Sequence, residues 1–217
     1  MDSGERKQQI LDASAIVFAE KGYFNASVSD IIEQAGIARG TFYLYFTGKR
    51  QVFTEILEQI SASVENRIKG VYEGISADEV YANLIENVNR VFGFLIENPN
   101  LTKILLTQAP GLDAASTRQL DQAIYMLRDT IKRLLQNGKR YGVLWSFNED
   151  LVATVLLGGL KELLYQIVVT GDIDAPIEPL VEQIVLVHSR GILSPAFLEK
   201  MPENFGLPKW DEDFDSK

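Results

Sequence analysis

The chain has 217 residues, of which 46% are hydrophobic and 24% charged, so it is long enough for one large or two small globular domains. It has no cysteine, which excludes disulfides and thiolate metal sites and favours a reducing compartment, the cytoplasm. The net charge of −9 argues at first against a nucleic-acid partner. The apolar run 151–160 is shorter than the ~20 residues that a membrane span requires, so no membrane partner is expected. The N-terminal residues lack the apolar segment of a signal peptide.

The charge is unevenly distributed along the chain. Residues 1–50 carry equal numbers of acidic and basic residues, so the rest of the chain accounts for the whole net charge of −9. Between Glu33 and Glu55 there is no acidic residue, whereas Arg39, Lys49 and Arg50 lie there. A locally positive segment on an acidic protein is compatible with DNA binding, although three cations alone are weak evidence.

The first two predicted helices occupy the N-terminal part of this segment. The apolar spacing predicts a helix over residues 5–21, with Gly22 placed to end it. Ser27 and Asp30 then form a capping-box pattern at the start of a second helix. Its apolar residues follow the helical period and predict one buried stripe: Val28, Ile31, Ile32 and Ala35.

A third short helix is predicted from Ala38 to Phe46, after a turn at Gly36. Phe42 and Phe46 lie one turn apart and are expected to face inward. The other positions are expected to face mostly outward: Arg39, Gly40, Thr41, Tyr43 and Tyr45. A helix, a glycine turn and a short second helix are typical of the helix-turn-helix, whose second helix enters the major groove of DNA.

Further helices follow throughout the rest of the chain. A fourth is predicted from Lys49 into the low seventies, and the others over 77–97, 99–110, 113–137, 148–171 and 176–191. Gly138 and Gly142 are expected to flank a turn. The fold class is therefore all-α with about nine helices. We expect a head over residues 1–48, a helical body over 49–194 and an acidic, irregular tail over 195–217.

The segment from Val28 to Lys49 strongly resembles the TetR family of transcriptional regulators. The matching pattern is A-G-[IV]-x-x-G-T-[FIL]-Y-x-Y-F-x-x-K, and it covers about the first quarter of the chain. Ala38 stands where the family often has serine, and Arg50 where an acidic residue is common. The resemblance implies a homodimer, a palindromic double-stranded DNA operator and a small-molecule pocket in each body, with repression as the family default.

The resemblance also assigns expected roles in DNA binding. The candidate residues are Ser27, Arg39, Gly40, Thr41, Tyr43, Tyr45, Lys49 and, more weakly, Arg50. Arg39 has the chemistry to read guanine, and Gly40 would allow close approach. Taken singly, each has a structural alternative: the tyrosines as packing aromatics, Arg39 as a solvated charge and Ser27 as a helix cap.

The body supplies two further sets of candidates. An apolar effector pocket could be lined by Phe92, Phe94, Tyr125, Met126, Trp145 and Tyr165. A dimer interface is expected at Leu151, Val155, Gly158, Gly159, Leu180, Ile184, Val187 and His188, because the last two helices are more apolar than one buried face requires. For both sets, ordinary monomer core is the alternative.

The sequence favours neither an enzyme nor a metalloprotein. It has no cysteine and a single histidine, His188, which is expected in the core or interface. No cofactor or metal is therefore expected. A rival interpretation is a helical adaptor or lipid-binding protein that has lost DNA binding, but the outward groups Thr41, Tyr43 and Lys49 are present.

Overall fold

A computed structural model describes residues 3–70, 76–107, 113–174 and 176–194 of the chain. These residues form an all-α structure, and no strand occurs in the described ranges. The helices are α1 (Ser3–Asn25), α2 (Val28–Ala35), α3 (Arg39–Tyr45), α4 (Lys49–Glu65), α5 (Ala77–Glu97), α6 (Pro99–Thr107), α7 (Ala114–Arg140), α8 (Glu149–Leu164) and α9 (Ile177–Ile192). The prediction of an all-α fold with about nine helices is confirmed. The predicted end of α6 at Pro110–Gly111 and the tail 195–217 fall outside the described residues.

The start of the chain folds as its glycines and caps predict. Gly22 has a φ of 74°, which no helix allows, so α1 kinks there before it ends at Asn25. The Ser27 hydroxyl accepts from the Asp30 amide, and the Asp30 carboxylate accepts from the Ser27 amide, which completes the predicted capping box. Gly36 ends α2 in the left-handed region, with a φ of 62°.

Two phenylalanines hold α3 in place. Phe42 and Phe46 are fully buried, as predicted, and their rings lie 5.9 Å apart between centroids. Ala38 precedes α3 and makes no side-chain cap, as expected for a residue without a hydroxyl. This short helix is therefore fixed by packing against the head, which leaves its opposite face free.

The core of the head continues into the body without a gap. Buried residues of α1, α3 and α4 pack in one cluster with Ile104, Leu105, Leu120 and Leu127 of α6 and α7. At the same junction the Ser116 hydroxyl of α7 donates to the buried Tyr23 hydroxyl over 3.1 Å. The division at residue 48 stays a prediction, and residues on both sides of it share one core.

Two helix ends differ from the sequence-based expectation. α4 ends at Glu65 instead of in the low seventies, because the Lys69 backbone pairs with the Asn87 side chain of α5 through two hydrogen bonds of 2.8 Å. α7 continues past Gly138 to Arg140. A Cβ at Gly138 would lie 2.7 Å from the Leu144 side chain, so this glycine permits close packing, and Gly142, with a φ of 72°, makes the turn.

The last helices pack on α5 around a second core. Its buried members are Phe92, Leu95, Leu164, Val181, Ile184 and Val185. Asn148 caps α8 through the Leu151 amide, as predicted. The final turn, Tyr165–Thr170, changes to a π-helix, and Gly171 ends it in the left-handed region.

Candidate functional site

The outward face of α3 is centred on Gly40 and Leu44. Successive residues of a helix are rotated by about 100°, so these two lie one turn apart and directly opposite the buried Phe42. Leu44 has 81% of its surface exposed, more than any other large apolar side chain in the described part of the chain. Sequence analysis did not select Leu44, although its position opposite Phe42 could have revealed it.

Arg39 and Tyr43 form one flank of this face. The Tyr43 ring packs edge-on against Phe42 with centroids 5.3 Å apart, yet remains 48% exposed. The Arg39 guanidinium lies 5.9 Å from the centre of the Tyr43 ring. Such a contact between a cation and an aromatic face orders both side chains and leaves the guanidinium donors exposed to solvent.

Thr41 and Tyr45 are less exposed than Tyr43, whereas Ser27 is exposed but engaged in the cap of α2. Thr41 and Tyr45 are partly buried on the other flank of α3, and Tyr45 packs against the head core. The Ser27 hydroxyl donates to Asp30 Oδ2 over 2.7 Å as part of the α2 cap. Asp30 also accepts from Lys21 Nζ, and these contacts, led by Lys21, hold the pKa of its carboxyl far below the ordinary value.

Lys49 is directed into the head. Its Nζ donates to the carbonyl oxygens of Tyr23, Phe24 and Ala26 at 2.8, 3.1 and 2.7 Å, and lies over the Tyr23 ring. Burial lowers the pKa of this amine below its ordinary value. The ammonium thus binds the carbonyls at the end of α1 and in the link to α2. This structural role was not indicated by the sequence.

Arg50 is directed toward the body. Its guanidinium pairs with Asp113 Oδ2 at 3.2 Å, and this contact raises the pKa of Arg50. Asp113 in turn caps α7 by accepting from the amides of Ala115 and Ser116. The structure therefore gathers the predicted residues of α3 on one surface, whereas Lys49 and Arg50 are engaged elsewhere.

The six residues predicted to line an effector pocket differ in their burial and in their neighbours. Phe92 is buried in the body core, whereas Tyr125 and Trp145 are about half exposed. Met126 lines a groove between α4 and α7. A common effector pocket for these six residues therefore stays a prediction, with Phe92 of α5 facing inward and Tyr125 of α7 facing outward. Phe94 stacks under Arg67, and Tyr165 is exposed at the start of the π-helical turn.

Aliphatic residues line two neighbouring cavities of the body instead. Each has a volume of about 120 Å³, and both lie between α5, α7, α8 and α9. Four side chains border both cavities: Leu84, Ile131, Leu156 and Ile192. One cavity is also lined by His188, and the other reaches the polar residues Lys69, Asn83 and Asn87. The lining of both cavities is therefore almost entirely apolar, with His188 beside one and a few polar residues beside the other.

An exposed apolar face runs along α8 and α9. Leu151, Val155 and Val187 are 63%, 63% and 71% exposed. A Cβ at Gly158 would meet no atom within 4 Å, and one at Gly159 would meet only His188 Nε2 at 3.9 Å. Ile184 differs from the expected set because it is buried in the body core, and Leu180 packs partly against that core. The Ile184 carbonyl oxygen accepts from His188 Nδ1 over 2.7 Å.

The fold and α3 define the class of protein, a helix-turn-helix DNA-binding protein. Residues 10–56 match the family described as bacterial regulatory proteins, tetR family. The HTH-type transcriptional regulator YdgC of Bacillus subtilis (strain 168) is 28% identical over 170 residues, covering 77% of this chain and 83% of its own length.

Two solved structures are similar over most of their length. A TetR-family transcriptional regulator from Syntrophomonas wolfei is 27% identical with a TM-score of 0.69, covering 86% of this chain and 94% of its own. The regulator FadR from Bacillus subtilis, in complex with stearoyl-CoA, is 26% identical with a TM-score of 0.67, covering 85% of this chain and 98% of its own. The present chain belongs to the TetR family of transcriptional regulators.

Proposed function

We propose that this protein is a cytoplasmic repressor that binds a palindromic DNA operator as a homodimer and is released by a small apolar or amphipathic effector. The outward face of α3 carries the proposal. Gly40, Thr41, Tyr43 and Tyr45 surround Leu44 there, and Arg39 supplies exposed donors. Side-chain donors of this kind read base edges and phosphates in the major groove.

The α8–α9 face supports a homodimer. Leu151, Val155 and Val187 are exposed in one chain, and burying each such side chain is worth about 1.5–3 kcal/mol. Gly158 has open space around it, so its lack of a side chain serves nothing within one chain. Glycine inside a helix costs about 1 kcal/mol relative to alanine, which a close approach by a second helix would offset.

A second copy suits this face better than a lipid bilayer. The stretch Glu149–Thr170 is long and apolar enough to span a membrane by length and composition, and little of it is buried within one chain. However, Lys161 and Glu162 lie near the middle of its apolar part, where charges are costly in a bilayer. In a symmetric pair of helices such charges can remain at the solvent-exposed edge.

The two aliphatic cavities are the proposed effector site. At about 120 Å³ each, they are smaller than the 300–1,000 Å³ of common ligand pockets. Rotation of Leu84 and Leu156, which border both, would join them into one elongated space. An unbranched apolar chain suits this aliphatic lining, and the likeness to a FadR structure that holds stearoyl-CoA supports this class of ligand. A ligand there would act by favouring one separation of the two α3 helices over another.

Selection of bound fragments from a random DNA pool, at fixed salt, tests the proposal. We expect an inverted repeat with half-sites about 34–36 Å apart, or a multiple of that spacing. Tyr43→Ala should weaken binding to the selected DNA while the thermal midpoint of the protein stays unchanged. No enrichment of any sequence would instead favour the helical adaptor or lipid-binding alternative.

Stearoyl-CoA should release the selected DNA, and coenzyme A alone should not. Leu156→Phe, which fills part of the shared wall, should raise the stearoyl-CoA concentration needed for release and leave DNA affinity unchanged. Equal release of DNA by coenzyme A would place the effector's recognition outside the aliphatic cavities.

A further inference from the structure

We propose that Leu44 packs against the C5-methyl group of a thymine at one position of each operator half-site, and that Gly40 provides the space for this contact. The inference rests on the proposed DNA-binding function and adds a specificity residue to it. It assigns Leu44 to recognition of one base rather than to the fold.

Nothing in the described part of the chain explains the exposure of Leu44. Its side chain is 81% exposed, whereas its helix neighbour Phe42 is fully buried. Leu44 lies at the centre of the outward face of α3, directly opposite Phe42, so no rotation of this short helix could bury both. An apolar side chain kept at that point is free to contact whatever the helix approaches.

Gly40 has no role in the packing of the head either. Its φ is not positive, and a Cβ built on it would meet nothing within 4 Å. Alanine would therefore fit here and would favour the helix. Since neither the backbone nor the packing requires glycine, the missing side chain leaves room for something outside the chain, one turn before Leu44.

The surroundings of Leu44 indicate DNA as the occupant. Thr41, Tyr43 and Arg39 place polar groups around this single apolar side chain, and no acidic residue lies between Glu33 and Glu55. A protein partner would offer a broad apolar surface, which α3 does not match. The major groove instead presents one apolar group, the thymine methyl, among hydrogen-bond donors and acceptors.

The decisive test removes one methyl group from the DNA. In the operator selected from the random pool, each thymine is replaced in turn by deoxyuridine, which differs only at C5. The wild-type protein should lose about threefold to tenfold in affinity at one position per half-site, as expected for one buried methyl contact. Leu44→Ala should bind more weakly to the unmodified operator and show no loss at that position.

Two variants on the same helix serve as controls. Tyr43→Ala should weaken binding overall but keep the sensitivity to deoxyuridine, because Leu44 is still present. Gly40→Ala should weaken binding at every operator variant by holding the helix away from the bases. The thermal midpoints of Leu44→Ala and Tyr43→Ala should stay close to that of the wild type, since both side chains are exposed, and that of Gly40→Ala should be equal or higher, since alanine favours the helix.

Three results would overturn the proposal. Equal affinity of the wild type for every deoxyuridine operator, or unchanged deoxyuridine sensitivity in Leu44→Ala, would remove Leu44 from base recognition while DNA binding itself stands. A change in oligomeric state of Leu44→Ala without DNA would assign the side chain to a protein interface. Failure of the wild type to select any DNA would overturn both this proposal and the proposed function.

Discussion

The head and the body of this chain differ in how much of their apolar surface is buried within one copy. In the head, the large aromatic residues Phe18, Phe42 and Phe46 are fully buried, and side chains of the head itself cap α2. In the body, α8 and α9 leave Leu151, Val155 and Val187 largely exposed. The difference indicates that one chain fills the core of the head and leaves Leu44 as a single exposed apolar side chain on α3, whereas the body presents an apolar face along two helices that suits a second copy.

Phe42→Ala would remove a large side chain from the core of the head. The side chain is fully buried and contacts Phe46 and Tyr43, so its loss should lower the free energy of unfolding by about 3–5 kcal/mol. Urea denaturation followed by circular dichroism measures this. Leu44→Ala, two residues away but exposed, should change the free energy of unfolding by no more than about 0.5 kcal/mol. Similar losses in both variants would show that burial in α3 does not decide stability.

Val155→Asp would separate two copies of the body. If the α8–α9 face pairs, both copies lose a buried valine, and the dissociation constant of the dimer should rise about 100-fold. Sedimentation velocity across a concentration series measures the change. Gln136→Asp, which adds the same charge to an exposed position of α7, is the matched control and should leave association unchanged. A wild-type protein that stays monomeric at all concentrations would refute the proposed role of this face.

Lys49→Met would test whether this cation stabilises the head or contacts a DNA phosphate. Loss of three hydrogen bonds from Nζ to the carbonyls of Tyr23, Phe24 and Ala26 should destabilise the protein by about 1.5–3 kcal/mol. Because the amine is directed inward, the salt dependence of DNA binding should stay unchanged. A slope of log K against log salt that is smaller by about 0.9 per head would instead identify a phosphate contact.

The acid stability of the head should depend on Asp30. Its carboxylate accepts from Lys21 Nζ and from the Ser27 amide and hydroxyl, which lowers its folded-state pKa. The resulting stability is present above the ordinary aspartate pKa of about 3.9 and is lost as the pH falls from there toward the lowered value. Asp30→Asn should therefore be less stable than the wild type at pH 7, and the two urea midpoints should converge in acid. Asp12→Asn, on an exposed part of α1, should keep the wild-type acid profile.

Local signals in the sequence predicted the head better than the body. The Ser27–Asp30 cap, the turn at Gly36 and the inward pair Phe42 and Phe46 are all set by residues within one or two helical turns. The fold class followed from the same helical periodicity. These signals act over short distances, so they can be recognised without knowing which helices meet.

The roles of Lys49, Arg50 and the pocket residues depend on contacts between distant parts of the chain. Lys49 meets carbonyls more than 20 positions earlier, and Arg50 meets Asp113. Helical periodicity does not reveal which way an aromatic residue of the body faces, since several faces of α5 and α7 are apolar. Phe92 and Tyr125 consequently looked alike in the sequence, but Phe92 is buried in the body core and Tyr125 is about half exposed.

Asp113→Asn would act at the junction between the head and the body. Asparagine caps a helix as well as aspartate does, so the hydrogen bonds that the Ala115 and Ser116 amides donate to the side chain at position 113 should persist. The attraction to Arg50 would be lost, which should change stability little because both side chains are about half exposed. Arg50 would then be free to turn toward a phosphate.

The change in operator affinity caused by Asp113→Asn would decide whether DNA and the body compete for Arg50. If the guanidinium reaches a phosphate, Asp113→Asn should bind the operator several-fold more tightly at low salt, with a salt slope steeper by about 0.9 per head. The double variant Arg50→Gln, Asp113→Asn should lose this gain in affinity, since it has no guanidinium at position 50 to contact a phosphate. An unchanged slope in Asp113→Asn would mean that Arg50 only links α4 to α7. Because that link joins the helix that leaves the head to the helix that borders the cavities, it would then be a route by which an effector shifts the two α3 helices.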